Sequence, residues 1–280
     1  MLKMARSSYY YKKAPDLQKQ KEDTDLRDRI EEIVVNHEKY GYRRVTAQLQ
    51  REGLQVNHKR VQRIMQEEEL ICKAKKRWVV TTDSNHPYPI YPNMLKEASI
   101  TGINQAWVAD ITYIRILTAF VYLAVILDVF SRKVVGWAIS LRIDTELTRT
   151  ALRMAIETRQ PSKGCIHHSD RGVQYAAHDY MDDLNAAGFL ISMSRKGNPY
   201  DNAKAESFMK TLKNEEVHLW DYKTFEDVKK RVPYFIEEVY NEERLHSALG
   251  YCPPNEYEAL VARNENKTRQ PQLTSELLCV

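Results

Sequence analysis

Residues 107–140 have the sequence WVADITYIRILTAFVYLAVILDVFSRKVVGWAIS. Three runs within this segment, 107–114, 120–127 and 134–139, are rich in β-branched and aromatic residues and are separated by gaps of the length of a turn. Runs of this composition predict β-strands, and short connections favour antiparallel neighbours. The segment therefore predicts a three-stranded antiparallel meander.

The apolar residues change to a helical period after this meander. Leu147, Ala151 and Ala155 fall on one face of a predicted helix over 145–158. The remaining predicted elements are a short strand entering His168–Asp170, a helix over 177–187, a strand over 189–193, a helix over 201–216 and an amphipathic helix over 225–240. This succession predicts an α/β fold with a mixed five-stranded sheet and flanking helices. The order of the elements matches the ribonuclease H-like arrangement.

The first 80 residues carry only helical patterns. The predicted helices cover 16–40, 43–51 and a segment that begins after Asn57, which is a favourable N-cap. Two helices joined by a turn around Gly53 have the outline of a helix-turn-helix. We therefore expect a small helical domain of the helix-turn-helix type, able to bind DNA, over residues 1–80.

Positive charge is concentrated in this N-terminal part. The whole chain has 42 Lys and Arg against 38 Asp and Glu, a formal net charge of +4, whereas residues 1–78 carry 19 basic and 12 acidic residues. Basic residues on a helix that enters the major groove can contact phosphates or base edges. The DNA-binding candidates in this domain are Arg43, Arg44, Lys59, Arg60 and Arg63. The alternative is that they form the solvated face of an ordinary three-helix unit.

Three prolines fall within TTDSNHPYPIYPN, residues 81–93, which has few residues able to pack a core. This composition predicts a semi-extended linker, to which we assign residues 81–100. The predicted domain plan is completed by the ribonuclease H-like core with C-terminal helices over 101–262 and a polar tail over 263–280.

Composition excludes several classes of protein. The longest nearly unbroken apolar run, Ala119–Leu127, is far shorter than the roughly 20 residues that span a bilayer. The N-terminus lacks the apolar segment of a secretory signal peptide. The four cysteines are scattered and form no CxxC pair, so neither a zinc ribbon nor a disulfide framework is indicated. We expect a cytoplasmic protein without a membrane partner.

Three acidic residues of the core occupy informative positions. Asp110 lies in the middle of the first predicted strand, where an ionised carboxylate is costly unless a charge compensates it. Asp170 follows the fourth strand, and Glu206 lies on a later helix, with 35 residues between the two. Carboxylates placed in this way can meet at one edge of a sheet, where Mg²⁺ or Mn²⁺ would offset their repulsion. Taken singly, Asp170 is also explained as a turn residue and Glu206 as an exposed helix carboxylate.

The acidic residues and the segments around them resemble a known family. Asp110, Asp170 and Glu206, with Lys213 seven residues beyond, look like the signature of the DDE transposases and retroviral integrases. The segments DVFSRKVVGWAIS, HHSDRGVQY, GNPYDNAKAESFMKTLK and YNEERLHSALGYCPP resemble the OrfB-type transposases of the insertion-sequence (IS) three family, and KYGYRR resembles the helical domain that precedes their integrase core. The resemblance runs over about residues 20–260.

The resemblance implies a transposase that catalyses metal-dependent DNA strand cleavage and strand transfer during transposition of an insertion sequence. Asp110, Asp170 and Glu206 would be catalytic and would hold two Mg²⁺ or Mn²⁺ ions in each active site. The nucleophile would be water in cleavage and a DNA 3′-hydroxyl in joining. The implied partners are the element ends, target DNA, further copies of the chain in the DNA complex, and an upstream OrfA product as a fusion or a partner.

Further residues are candidates because they lie near the acidic residues. Lys213 lies nearly two helical turns from Glu206 and would hold a DNA phosphate. Asn202 and Lys210, four residues on either side of Glu206, would line the same DNA groove, with a solvated surface as the alternative. The possible supporting residues are His168 and Gln174, which could orient water or substrate, and Arg244 and His246, which could contact DNA or brace the catalytic helix.

Two other functions fit parts of the pattern. A nuclease of the ribonuclease H type shares the fold and the metal chemistry, but it would hydrolyse strands without joining them. A non-catalytic DNA-binding regulator would compete for element ends, although the three intact acidic residues argue against a decayed catalytic centre.

Overall fold

The computed structural model describes residues 17–70, 88–195 and 199–264. The chain divides into two compact units, residues 1–75 and 76–280. The predictions for the first part of the linker, 81–87, and for most of the polar tail, 265–280, lie outside the described residues.

Within residues 17–70, the N-terminal unit contains the helices α1 (Leu17–Asn36), α2 (Tyr42–Arg51) and α3 (His58–Glu67). Asn57 caps α3 as predicted, since its side-chain oxygen accepts a hydrogen bond from the Lys59 amide at 2.9 Å. The apolar faces of the helices form a small core of Leu26, Ile30, Ile33, Tyr40, Val45, Leu49, Val61, Ile64 and Met65. The helical domain expected from the sequence is therefore present.

A five-stranded mixed sheet lies at the centre of the second unit. Its strands are β1 (Ala106–Arg115), β2 (Phe120–Asp128), β3 (Val134–Ser140), β4 (Ile166–Ser169) and β5 (Leu190–Met193), in the spatial order β3-β2-β1-β4-β5. The first three strands are antiparallel neighbours, which confirms the predicted meander, while β4 pairs parallel to β1 and β5 parallel to β4. The sheet thus changes from antiparallel to parallel pairing at β1.

Helices cover both faces of this sheet. The first face packs against α4 (Thr145–Arg159), α5 (Val173–Ala176) and α6 (His178–Ala186), and the second against α7 (Ala203–Leu212) and α8 (Phe225–Tyr234). Side chains alternate along a strand, so Ala109 joins the core under α4–α6 while Val108 joins the core under α7 and α8. The same alternation places Asp110 on the face covered by α7.

Two of the predicted helices are interrupted. The helix expected over 201–216 consists of a 3₁₀ turn (Pro199–Asn202), α7 and a π-helical segment (Lys213–Val217). Similarly, α8 widens into a π-helical segment (Phe235–Glu243) directly after Pro233, which cannot donate a backbone hydrogen bond. A final helix, α9, covers 254–264. None of the helices in the described part of the chain has both the length and the apolarity needed to cross a membrane.

The second half of the predicted linker is packed against the core. Met94 and Leu95 contact the core under α7 and α8, whereas Tyr88 and Tyr91 contact the core on the other face. The Met94 amide donates a hydrogen bond to Ser192 Oγ of β5 at 2.9 Å. Residues 88–100 therefore run along the core, and several of the apolar side chains between the prolines are partly buried against it.

Candidate active site

The candidate site lies where β1 and β4 separate. The parallel ladder between these strands ends at the pair Val108 and His168. Asp110 lies two residues beyond this pair on β1, and Asp170 directly follows β4. We refer to the opening beyond the Val108–His168 pair as the β1–β4 gap. A gap at the carboxyl end of parallel strands, where the strand order changes direction, is a common place for ligand sites in α/β sheets.

Asp110 lies in an unfavourable electrostatic environment. Its carboxylate is half-buried and accepts a hydrogen bond from the Ile111 amide at 2.8 Å. Burial, reinforced by the negative charges of Asp170 and Glu206, raises the pKa of Asp110 to about 8, and the positive charge of Lys213 only partly opposes this shift. Two of the predicted acidic residues, Asp170 and Glu206, therefore act electrostatically on the third, Asp110.

Asp170 is held by the turn that follows it. Its Oδ1 accepts a hydrogen bond from the Gly172 amide at 2.9 Å. A Cβ atom on residue 172 would lie 2.9 Å from the same oxygen, so the glycine allows this close approach. Gln174 is half-exposed, and its Nε2 lies 3.5 Å from the Ile143 carbonyl, at the limit of a hydrogen bond.

Glu206 and Lys213 come from the helical segment that covers β1. Glu206 is exposed on α7, and partial burial raises the pKa of its carboxyl. Lys213 begins the π-helical segment, and its ammonium lies 4.8 Å from the centre of the Tyr113 ring, which meets Phe120 edge-on. Tyr113 was missed by the sequence analysis, because nothing in a strand tyrosine indicates contact with a lysine 100 positions later.

Asn202, which was predicted to line a DNA groove, is buried in this structure. The side chain is 6% exposed, and its Nδ2 donates a hydrogen bond to the Ala109 carbonyl of β1 at 3.1 Å. The prediction assumed a continuous α-helix from residue 201, whereas Asn202 belongs to the 3₁₀ turn before α7 and points to the sheet. Lys210, by contrast, is exposed on α7 as expected for a residue that meets solvent or DNA.

His168 is buried and links β4 to β5 through its ring nitrogens. Its Nδ1 lies 2.8 Å from Ser192 Oγ and its Nε2 lies 2.9 Å from Ser194 Oγ. Burial lowers the pKa of His168 to about 4, so the ring is neutral at pH 7. The sequence had suggested that His168 orients water or substrate. Because both ring nitrogens contact serine hydroxyls, its contacts are those of a residue that braces β4 against the end of β5.

Arg244 and His246 support the segment that carries Lys213. Arg244 is 5% exposed and donates two hydrogen bonds to the Glu215 carboxylate, at 2.6 and 2.7 Å. His246 is also buried and packs edge-on against Tyr240. Arg244 and His246 were expected either to contact DNA or to brace the catalytic helix, and these contacts are typical of bracing residues.

The basic candidates of the N-terminal unit fall into two groups. Arg60 and Arg63 of α3 each lie 2.6 Å from a carboxylate oxygen of Asp23 on α1, so their charges are partly used within the unit. Lys59 and Arg43 are exposed. The guanidinium of Arg43 lies 5.6 Å from the Tyr42 ring centre, and the Arg44 guanidinium lies 5.4 Å from that of Tyr40.

The donor set of the β1–β4 gap suits a hard divalent cation. Carboxylate oxygens are the preferred ligands of Mg²⁺, and a cation would offset both the burial and the repulsion that raise the pKa of Asp110. Within residues 17–70, 88–195 and 199–264, no three His, Cys, Asp or Glu side chains are already arranged as a metal-binding group.

A mixed sheet of this order, with acidic residues on β1, after β4 and on the covering helix, defines a ribonuclease H-like integrase core. Family models agree, since two models described as integrase core domain match residues 101–199 and 187–254. A third, described as an HTH-like domain, matches residues 20–78. Among solved structures, the catalytic core domain of BIV integrase is similar with 16% identity and a TM-score of 0.43, over 58% of this chain and 99% of that chain.

The chain belongs to the transposases of insertion sequences. It is 41% identical to an uncharacterized 31 kDa protein of insertion element IS600 from Shigella sonnei, over 90% of this chain and 93% of the relative. The transposase of IS904 from Lactococcus lactis is 37% identical, over 83% of this chain and 93% of the relative. Transposase InsF of IS3A from Escherichia coli K12 is 36% identical, over 79% of this chain and 77% of the relative.

Proposed function

We propose that this transposase cleaves and joins DNA strands with Asp110, Asp170 and Glu206 as its catalytic carboxylates. The observation that carries the assignment is geometric: Asp110 and Asp170 lie at the β1–β4 gap of an integrase core, and Glu206 lies on the helix that covers β1. Burial, together with the charges of Asp170 and Glu206, raises the pKa of Asp110 there. Structural carboxylates are normally surrounded by donors or cations, so an arrangement of mutually repelling acids is typical of a catalytic site.

The proposed cofactor is a pair of Mg²⁺ or Mn²⁺ ions held by Asp110, Asp170 and Glu206. When bound, such ions activate an oxygen nucleophile and stabilise the leaving oxygen of a phosphodiester. The HTLV-2 integrase catalytic core domain has been solved in complex with magnesium. The number of ions and the use of Mn²⁺ are part of the proposal for this protein.

The remaining residues of the site position the DNA. Lys213, fixed on the Tyr113 ring beside Asp110, places a cation where it can hold a phosphate next to the carboxylates. Lys210 adds an exposed positive charge on α7. In cleavage a water attacks the phosphate in line, and in joining a DNA 3′-hydroxyl does so, with no covalent enzyme intermediate. The main contributions of the protein are orientation and charge stabilisation.

The N-terminal unit is proposed to bind DNA through the exposed residues Arg43 and Lys59, with smaller contributions from Arg44, Arg60 and Arg63. Phosphate contacts release counterions, so the affinity for DNA should fall as salt is raised. The proposed partners are element ends, target DNA, further copies of this chain and an upstream OrfA product. Cytoplasmic location remains a prediction of the sequence.

The test is a reaction of the purified chain with a labelled element end and Mg²⁺, with and without the upstream OrfA product. We expect nicked ends and joined products, both abolished by EDTA. Hydrolysis without joining in both conditions would instead indicate a nuclease, and DNA binding without cleavage would indicate a regulator.

A further inference from the structure

Two buried asparagines tie helical segments to the sheet, and they do so differently. Asn241 uses both of its polar atoms on Val134 of β3: its Oδ1 accepts from the Val134 amide and its Nδ2 donates to the Val134 carbonyl, each at 3.0 Å. Asn202 donates from Nδ2 to the Ala109 carbonyl, but its buried Oδ1 has no partner in the described part of the chain. A buried acceptor without a donor costs free energy, so Asn202 is not explained by stability alone.

The hydrogen bond of Asn202 is placed at the candidate site. Ala109 follows Val108, the last residue of β1 that pairs with β4, and precedes Asp110. Asn202 directly precedes α7, and Glu206 follows one helical turn later. A single hydrogen bond therefore connects the backbone beside one proposed metal ligand to the start of the helix that carries another.

A second contact holds the same turn independently. Asp201 accepts hydrogen bonds from the backbone amide and the side chain of Arg195, at 2.9 and 3.1 Å, just beyond β5. Loss of the Asn202 contact should therefore leave the turn attached to the β5 side of the sheet. What it would remove is the hydrogen bond from the turn to β1, which is the strand of Asp110.

We propose that Asn202 is a positioning residue that fixes Asp110 relative to Glu206 and so increases the affinity of the site for a divalent cation. This inference rests on the proposed function, because it assumes that these carboxylates bind the metal. Residues that orient metal ligands without touching the metal commonly change metal affinity by about 10- to 100-fold when replaced. Asn202 has the connections expected of such a residue.

The experiment compares Asn202→Leu with Asn241→Leu as a matched control. In the full chain, the melting temperature without metal, its increase on adding Mg²⁺, and the Mg²⁺ concentration for half-maximal cleavage are measured. For Asn202→Leu we expect a small loss of melting temperature, a reduced Mg²⁺-induced increase, and a half-maximal Mg²⁺ concentration raised about tenfold or more. For Asn241→Leu we expect a larger loss of melting temperature, because two hydrogen bonds are removed, with an unchanged Mg²⁺ requirement.

Two outcomes would overturn the inference alone. The first is an Asn202→Leu variant with the wild-type Mg²⁺ requirement and the wild-type Mg²⁺-induced stabilisation. The second is an equal increase in Mg²⁺ requirement in Asn241→Leu, which would indicate general loosening of the core. If leucine at position 202 prevents folding, Asn202→Ala serves in the same comparison. A wild-type chain that neither responds to Mg²⁺ nor cleaves DNA would overturn the proposed function as well. Failure of the wild-type chain thus distinguishes this outcome from the two above, in which only the role of Asn202 fails.

Discussion

Asp110 and Asp128 lie in paired strands of one sheet, but their carboxylates have opposite surroundings. Asp128 is 1% exposed and accepts hydrogen bonds from the backbone amides of Asn104, Phe130 and Ser131, at 2.7 to 2.9 Å. The hydrogen bond described for Asp110 comes from one amide, and the acidic residues near it oppose its charge. The Asp128 carboxylate organises the turn between β2 and β3. The Asp110 carboxylate would be stabilised by a cation.

This difference separates a structural acid from a proposed catalytic acid without reference to sequence motifs. Burial raises the pKa of both groups. Hydrogen bonds from the Ser131 and Asn104 amides oppose this effect in Asp128, whereas in Asp110 the Ile111 amide opposes it and the charges of Asp170 and Glu206 add to it. A carboxylate surrounded by donors needs no further ligand, and its loss should affect folding. A carboxylate beside other carboxylates is stabilised by a metal, and its loss should affect chemistry.

The largest expected effect is on catalysis. Asp110→Asn should reduce strand cleavage and joining by about a thousandfold or more, because a ligand charge at the reacting phosphate is lost. Thermal stability should stay equal or rise, since a carboxyl group that is costly to ionise in the fold is removed. A gel assay of both reactions and a melting curve test this together. Asp179→Asn, at an exposed position on α6, is the control and should leave both unchanged.

The second effect is on stability. Asp128→Ala should lower the free energy of unfolding by about 3 kcal/mol, because three backbone amides lose their acceptor. Urea unfolding followed by tryptophan fluorescence measures the change. Cleavage by the fraction that remains folded should be close to wild type, and a selective loss of activity without a loss of stability would remove the distinction between the two acids.

The third effect is a pH dependence of the metal-free protein. The pKa of Asp110 is about 8 in the folded chain and near 3.8 as its ordinary value, so the protonated group stabilises the fold at low pH. That contribution is complete below the ordinary pKa and is lost as pH rises toward 8. Wild-type stability should therefore fall relative to Asp110→Asn between pH 4.5 and 8, as measured by urea midpoints in EDTA. A constant difference between the two proteins would contradict the raised pKa.

The smallest effect concerns the cation beside Asp110. Tyr113→Leu should reduce cleavage by about three- to tenfold, because the ring that holds Lys213 contributes on the order of 1 kcal/mol. Tyr113→Phe keeps the ring and should retain most activity. Equal losses in the leucine and phenylalanine variants, measured as initial cleavage rates, would show that the hydroxyl and not the ring matters.

The antiparallel meander was predictable because strands of β-branched residues are a local pattern. Asp110 stood out as a carboxylate in an apolar strand, whereas Asp170 and Glu206 were joined to it by the family resemblance, and the role of the three stays a prediction. The contacts of segment 88–100 with the sheet were not predicted, because its prolines are visible in sequence while those contacts are not. Asn202 was assigned to a DNA groove because helical spacing was assumed through a turn that is 3₁₀. The Tyr113–Lys213 contact joins distant positions, and a single sequence carries no signal for it.

The central claim is that the acidic residues around Asp110 form a site for divalent cations, whereas Asp128 does not. The most direct test is to titrate Mn²⁺ into the full chain and count bound ions by electron paramagnetic resonance, for wild type, Asp110→Asn and Asp128→Asn, each at a temperature where it is folded. We predict saturable binding of two ions to wild type and to Asp128→Asn, and strongly weakened binding to Asp110→Asn. Equal binding by all three proteins, or no saturable binding by wild type, would contradict the account.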